Sequence, residues 1–428
     1  MKKGGIFLII LLLIVSILIA FLLRKEKTDL PVPDKPISEQ TDNDFDFKMI
    51  NETSKLHEKQ NYLISPLSIA YAISMANDGA SGNTKEQINK LMGDYVLDTT
   101  LSIKDKVGIA NLIFINNKYK NDINTRYINI LENKYNSEVL FDDMLTPDAV
   151  NNWVSKKTFN MIKRPLDSID PETVLGLANA IAIDVEWKNK FECINTQEEE
   201  FTKEDNTKIK TAMMHSSNDI AYIESNNAKG IIKDYAMYDK KTGQIVHEKN
   251  DNTIELEYIA ILPNTSVSEY MKTFNKNELN YLLTNKKEPS EKLDINLSLP
   301  KYTYDFDYKD FKEALINIGM SDAFDPEKAS FTNMVNSDSQ LHLYIDEAIH
   351  KSHIELSENG TKAAAVTIFT FKDNAMILEE EKEEININFN KPFIYLIKEK
   401  NSSNIWFFGT VYEPIKWENN DKENCVIE

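Results

Sequence analysis

Cysteine is almost missing from this chain: Cys193 and Cys425 are the only two in 428 residues. Two thiols in distant contexts exclude a disulfide framework, so stability is expected from a hydrophobic core, with no disulfide required. Net basic charge is missing as well. With 68 acidic residues against 49 basic ones the formal charge is −19. That balance argues against nucleic acid, which favours a basic face, and gives no support for polybasic attachment to anionic lipid. The acidity reads as solubility. Catalytic signatures are lacking too. The sequence contains no Gly-x-Ser-x-Gly elbow and no glycine loop to cradle a phosphate, and its six histidines are scattered. His350 and His353 stand three apart, and on a strand they point to opposite faces, which excludes a shared metal. No enzyme activity, metal site or cofactor is therefore expected.

One long apolar run is present. Met1-Lys2-Lys3 precedes an uncharged stretch from Ile6 to Leu23, broken only by Ser16. At about 1.5 Å per residue this run spans roughly 27 Å, close to a bilayer's hydrocarbon core. No convincing small-x-small cleavage site closes it, and no cysteine there offers a lipid attachment point. Residues 1–23 read as an uncleaved single-pass anchor, with a cleaved signal peptide as the alternative. Lys2 and Lys3 favour a cytoplasmic N-terminus, while Arg24, Lys25 and Lys27 compete on the other flank. Residues 24–44, charged and carrying Pro31, Pro33 and Pro36, form a semi-extended linker.

The folded part is expected over residues 45–417, followed by a polar tail at 418–428. Ser65-Pro66 is a strong helix start, with an N-cap oxygen and a proline in the first turn. Thr84 with Gln87 three residues on suggests a capping box. Thr146-Pro147 predicts another helix, whose Val150, Trp153, Val154, Met161 and Ile162 form a core-facing stripe. From Leu175 to Trp187 the apolar residues alternate as in a strand with one buried face. Ile385–Ile397 and Ile405–Tyr412 read as two buried strands joined through Asn401-Ser402-Ser403. Asp239–Asn252 reads as a polar hairpin or loop insertion. No internal repeat is evident.

The most informative stretch runs from Ile354 to Met376. In an extended chain Thr361, Ala363, Ala365 and Thr367 share one side, and all are small. Gly360 ahead of them supplies a permissive hinge. Behind them Phe371-Lys372-Asp373-Asn374 and the acidic run Glu379–Glu384 read as solvated loop. The pattern suggests a segment that lies outside a sheet and can enter it.

Here the chain resembles the inhibitory serpins, suicide inhibitors of proteases. Glu358-Asn359-Gly360-Thr361-Lys362-Ala363-Ala364-Ala365-Val366-Thr367 is similar to their hinge. Other blocks follow in order: Asn61-Tyr62-Leu63-Ile64-Ser65-Pro66-Leu67-Ser68 with Gly79-Ala80 and Thr84; Leu177-Ala178-Asn179-Ala180-Ile181 with Trp187, Phe191, Thr196, Phe201 and Met213-Met214; Leu299-Pro300-Lys301-Tyr302; Gly319-Met320-Ser321-Asp322-Ala323-Phe324; and Asn390-Lys391-Pro392-Phe393 through Phe408-Gly409 to Pro414.

The resemblance implies one mixed α/β (α+β) domain. It would have a large central sheet, further sheets, about eight or nine helices and an exposed reactive-centre loop at about 358–388. It implies a covalent complex with a serine or cysteine endopeptidase, formed by a monomer. The alternative is a non-inhibitory carrier or chaperone of the same fold. It assigns Glu358, Gly360, Thr361, Ala363, Ala364, Ala365, Val366 and Thr367 to the hinge. Ser65, Ser68, Asn179 and His350 fall to a buried cluster beneath the opening sheet, the shutter. Trp187, Lys301 and Glu358 fall to the sheet's top, the breach. Family spacing puts the reactive bond at Asn374–Ala375. The stretch from Gly360 to Pro392 is longer than the family pattern, which leaves Phe371, Lys372 and Met376 as alternatives. Lys362 replaces an acidic residue usual in the hinge, and the region Ala221–Lys233 matches the family poorly. An inhibitor of this kind implies an extracellular domain on the cell membrane, or a secreted one if the N-terminal segment is cleaved.

Overall fold

Burial on both faces marks the centre of the fold. In the computed structural model, which describes residues 45–97, 102–361, 382–400 and 402–418, the strands β13 (Leu256–Pro263) and β20 (Ile405–Val411) are buried at every position. Continuous apolar runs of this kind suit strands covered on both sides. They lie in a six-stranded antiparallel sheet of order β1 (Leu63–Ile64), β20, β19 (Phe393–Glu399), β13, β9 (Ala228–Asp234), β8 (Ala221–Glu224). A four-stranded sheet joins β18 (Glu383–Asn388), β14 (Leu293–Pro300), β7 (Lys208–Ser217) and β6 (Gln197–Thr202). The polar insertion forms a small three-stranded sheet of β11 (Ile245–Val246), β10 (Met237–Asp239) and β12 (Thr253–Ile254).

Two further sheets carry the candidate site. One has the order β3 (Glu138–Asp142), β2 (Val107–Asn116), β4 (Leu175–Ile183). The other has the order β15 (Tyr302–Asp307), β16 (Lys351–Ser357), β17 (Gly360–Thr361), β5 (Val185–Glu186). β4 and β5 are one run of chain interrupted at Asp184. The two residues of β17 therefore lie between that run and β16. Among the described residues no β4–β16 ladder forms.

Eight α-helices are described: α1 (Phe45–Leu56), α2 (Pro66–Gly79), α3 (Gly82–Met92), α4 (Thr125–Tyr135), α5 (Asp148–Lys157), α6 (Val267–Met271), α7 (Lys276–Thr284) and α8 (Phe311–Asn317). α2 contacts both β4 and β20, so its first turn lies between two sheets. α5 packs against β2 and β4.

Several local expectations are corrected. The capping box at Thr84 and Gln87 does not form, because α3 starts two residues earlier with Ser81 as its N-cap. Both side chains hold neighbouring loops instead: Thr84 Oγ1 accepts from Ser330 N at 3.0 Å, and Gln87 Oε1 accepts from Asp322 N at 2.9 Å. α5 ends at Lys157, and left-handed backbone at Phe159 and Asn160 takes Met161 and Ile162 off its stripe. The expected strand Ile385–Ile397 is two strands in different sheets, β18 and β19, broken at Asn390-Lys391-Pro392. The loop expected to reach residue 388 gives way to β18 at Glu383, which pairs in parallel with Leu293. Of the two cysteines Cys193 is among the described residues, and Cys425 lies outside them.

Candidate functional site

The start of α2 organises the lower part of the site. Ser65 is its N-cap, extended at φ −113°, and Ser65 Oγ accepts from Ser68 N at 3.1 Å. The same hydroxyl donates to Trp406 O on β20 at 2.6 Å. Ser68 Oγ donates to Asn179 Oδ1 on β4. Asn179 Nδ2 donates to Asn111 Oδ1 at 2.8 Å, and Asn111 Nδ2 donates to Tyr135 O at the end of α4 at 2.8 Å. Ser65 N donates to His350 Nε2 at 3.1 Å. Ser65, Ser68, Asn179 and His350 thus belong to one hydrogen-bonded set, which ties α2 to β4, to β20 and to the residue just before β16. Buried amides and hydroxyls need such partners, since an unpaired one costs about 1–3 kcal/mol.

His350 is buried, and burial pushes its imidazole down to about 4. Because Nε2 accepts, the neutral ring carries its proton on Nδ1. Ser352, the next residue on the same face, donates from Oγ to Leu63 O at 2.6 Å. His353 faces away and pairs with Asp305 at 2.8 Å.

A second cluster sits at the opposite end of β16, where the chain turns from Ser357 to Gly360. Glu358 is nearly buried. Its Oε2 meets Lys301 Nζ at 3.0 Å, and its Oε1 accepts from Thr196 Oγ1 at 2.8 Å. Trp187 Nε1 donates to Ser357 O at 3.0 Å, and Trp187 N donates to Asn359 O at 2.9 Å. Phe191 N also donates to Glu358 O at 3.0 Å, so the turn is held by its carboxylate and by three of its carbonyls.

Beyond the turn, Thr361 opposes Leu356 on β16 and Val185 on β5, and Gly360 opposes Ser357 and Glu186. Gly360 has φ +150°, and a Cβ there would run into the Val185 carbonyl oxygen. Glycine is required at this point on both counts. Thr361 is buried, and its hydroxyl shares a 2.6 Å hydrogen bond with Tyr235 OH. Tyr235 stacks flat on Trp187, with centroids 4.5 Å apart and planes 6° from parallel. The Lys233 ammonium lies 4.5 Å from the Phe191 centroid and 5.7 Å from that of Trp187, and it pairs with Asp219. Burial pushes this amine down, against the pull of Asp219.

Sequence reasoning missed Asn111, Lys233 and Tyr235, and it named Thr196 within a matching block without giving it a role. Asn111 carried a signal, because it interrupts the apolar run of β2 as Asn179 interrupts that of β4, and the two are cross-strand partners. The hinge residues Ala363, Ala364, Ala365, Val366 and Thr367 lie outside the described residues. So do the reactive-bond candidates Asn374, Ala375, Phe371, Lys372 and Met376. Among the described residues no group of three or more His, Cys, Asp or Glu side chains is placed to hold a metal ion.

A family model described as Serpin (serine protease inhibitor) matches residues 40–414. An uncharacterized serpin-like protein of Methanosarcina acetivorans is 28% identical over 395 residues, covering 87% of each chain. Human neuroserpin is 26% identical over 397 residues, covering 87% of this chain and 90% of its own. Among solved structures, the thermophilic serpin tengpin in its native state superposes with a TM-score of 0.72 at 32% identity, over 89% of this chain and 96% of tengpin.

Proposed function

The chain belongs to the serpin family, and from that premise we propose that it is a single-use inhibitor of a serine or cysteine endopeptidase. The target's nucleophile attacks the loop after β17 and forms an acyl-enzyme. Cleavage frees the loop's N-terminal half, which continues from Thr361 as a new strand between the β4–β5 run and β16. Each new ladder bond contributes about 0.5–1.5 kcal/mol net, and insertion adds two ladders at once. The released strain displaces the tethered protease before its acyl bond is hydrolysed. The starting fold is kinetically trapped.

The observation that carries this reading is the position of Gly360–Thr361. Those two residues already pair with β16 on one side and β5 on the other, while β4 and β16 form no ladder with each other among the described residues. The sequence that follows, Lys362 to Thr367, is small on the side that Thr361 shares. In this reading Ser65, Ser68, Asn179 and His350 are the shutter, Trp187, Lys301 and Glu358 the breach, and Asn374–Ala375 the reactive bond. The run Ile6–Leu23 anchors the protein with its inhibitory domain outside the cell. Among the described residues no helix is long and apolar enough to cross a membrane.

The test is incubation of the full chain with a panel of serine and cysteine proteases, read on a denaturing gel and by mass spectrometry. The expected result is a complex that survives denaturation, with a released C-terminal peptide beginning at Ala375. Cleavage by every protease without such a complex would overturn the reading in favour of a non-inhibitory carrier.

A further inference from the structure

Tyr235 does nothing in the mechanism above, yet it is the side chain that receives the leading residue of the entering strand. It stands just after β9, in the six-stranded sheet, while Thr361 belongs to the sheet that must open. The 2.6 Å bond between their hydroxyls is buried and joins residues 126 apart in the chain. Among the described residues neither hydroxyl has another hydrogen-bond partner. The ring is fixed independently: it stacks on Trp187, whose backbone forms a bridge with Tyr235, and Trp187 is itself anchored to Ser357 O. The tyrosine oxygen is therefore a fixed point in the core, set by packing before the loop arrives.

We propose that Tyr235 is a positioning residue for loop insertion. By holding the Thr361 hydroxyl it keeps Gly360–Thr361 paired between β5 and β16 and so fixes the register in which the rest of the loop enters. Register matters here because side chains alternate with a period of two. A slip of one residue would turn Lys362 into the core in place of Thr361 and its small neighbours. The pre-paired pair of residues also removes the slowest part of strand addition, the first closure. Insertion races against hydrolysis of the acyl-enzyme, so a lost anchor shifts the outcome from trapping toward turnover. This inference rests on the inhibitory reading for its kinetic consequence but not for its structural one.

The experiment uses the full chain as wild type, Tyr235→Phe, Thr361→Val and the double variant, with Thr361→Ser as the conservative control. Hydrogen exchange of the peptide spanning residues 355–361 is measured first, with no protease. Tyr235→Phe and Thr361→Val are each expected to lower protection there by about two- to tenfold, the effect of one lost hydrogen bond. The double variant is expected to lose no more than either single variant, and Thr361→Ser is expected to keep wild-type protection. Unchanged protection in both single variants, or additive losses in the double, overturns the proposal whatever the protein inhibits.

The second readout is the number of inhibitor molecules consumed per protease trapped. It should rise severalfold in Tyr235→Phe and Thr361→Val and stay at the wild-type value in Thr361→Ser. An unchanged ratio alongside lost protection would overturn the positioning role. If wild type traps no protease at all, the inhibitory reading fails, and the exchange data alone decide the Tyr235–Thr361 link.

Discussion

Lowering the pH should loosen this fold through one imidazole. His350 titrates at about 4 in the folded chain because burial disfavours its charged form, against an ordinary value of 6.5. Between those values the unfolded chain takes up a proton and the folded one does not. Stability contributed by the neutral imidazole is therefore fully present above pH 6.5 and is lost as pH falls toward 4. The full gap corresponds to about 3 kcal/mol, and about 2 kcal/mol of it is gone by pH 5, an unfolding constant roughly thirtyfold larger. The structural cost is specific, since a protonated Nε2 can no longer accept from Ser65 N at the cap of α2. Denaturant unfolding of wild type and His350→Gln at pH 7.5 and 5 measures it. Gln carries no titratable group and keeps an acceptor oxygen. Other groups, including the buried His57 whose imidazole is also pushed down by burial, contribute equally to both proteins. Wild type should lose about 2 kcal/mol more than the variant over this interval. Equal losses would refute the reasoning.

Three further outcomes are expected. Thr361→Arg puts a charge on a buried face of the entering strand and should convert the inhibitor into a plain substrate, cleaved at the normal rate without stable complex on a denaturing gel. Lys301→Ala leaves the Glu358 carboxylate with only the Thr196 hydroxyl and should destabilise the fold by about 2–3 kcal/mol, less than for a fully buried pair because Lys301 is partly exposed. Thermal unfolding measures this loss, and Glu358→Gln should cost less, since no buried charge is left alone. Gly360→Ala forces a side chain against Val185 at φ +150° and should unpair Gly360–Thr361, seen as loss of exchange protection in residues 355–361.

Much of the fold is legible wherever a local rule and the tertiary context agree. Ser65-Pro66 starts a helix because its cap oxygen and ring geometry need nothing distant. His350, Ser352, Ile354 and Leu356 turn inward because the period of a strand is two, and all four are buried. The failures come where a distant partner outbids the local pattern. Thr84 and Gln87 have capping-box spacing, but loops near Ser330 and Asp322 take their oxygens. Ile385–Ile397 reads as one strand because apolar residues stand on both sides of Asn390-Lys391-Pro392, yet the chain changes sheets there. Tyr235 and Lys233 fell in or beside a stretch that matches the family poorly, and a tyrosine in an apolar run reads as core. Only the fold brings Tyr235 to Thr361, across a sequence separation of 126 residues.

The pairing of β1 with β20 also sets a timetable for biosynthesis. Tyr62 N donates to Thr410 Oγ1 across 348 residues, and Ile405 N donates to Asp46 Oδ2 across 359. The first described helix and the last described strand complete each other, so the six-stranded sheet cannot close until β20 has been made. At about 5–20 residues per second, the N-terminal partners wait roughly 17–70 s for β20 to emerge. From the time β13 is made until β19 follows, it has β9 on one edge and no partner strand on the other. A ribosome stalled shortly before Ile405 would hold a chain with most of the described residues and an unclosed six-stranded sheet.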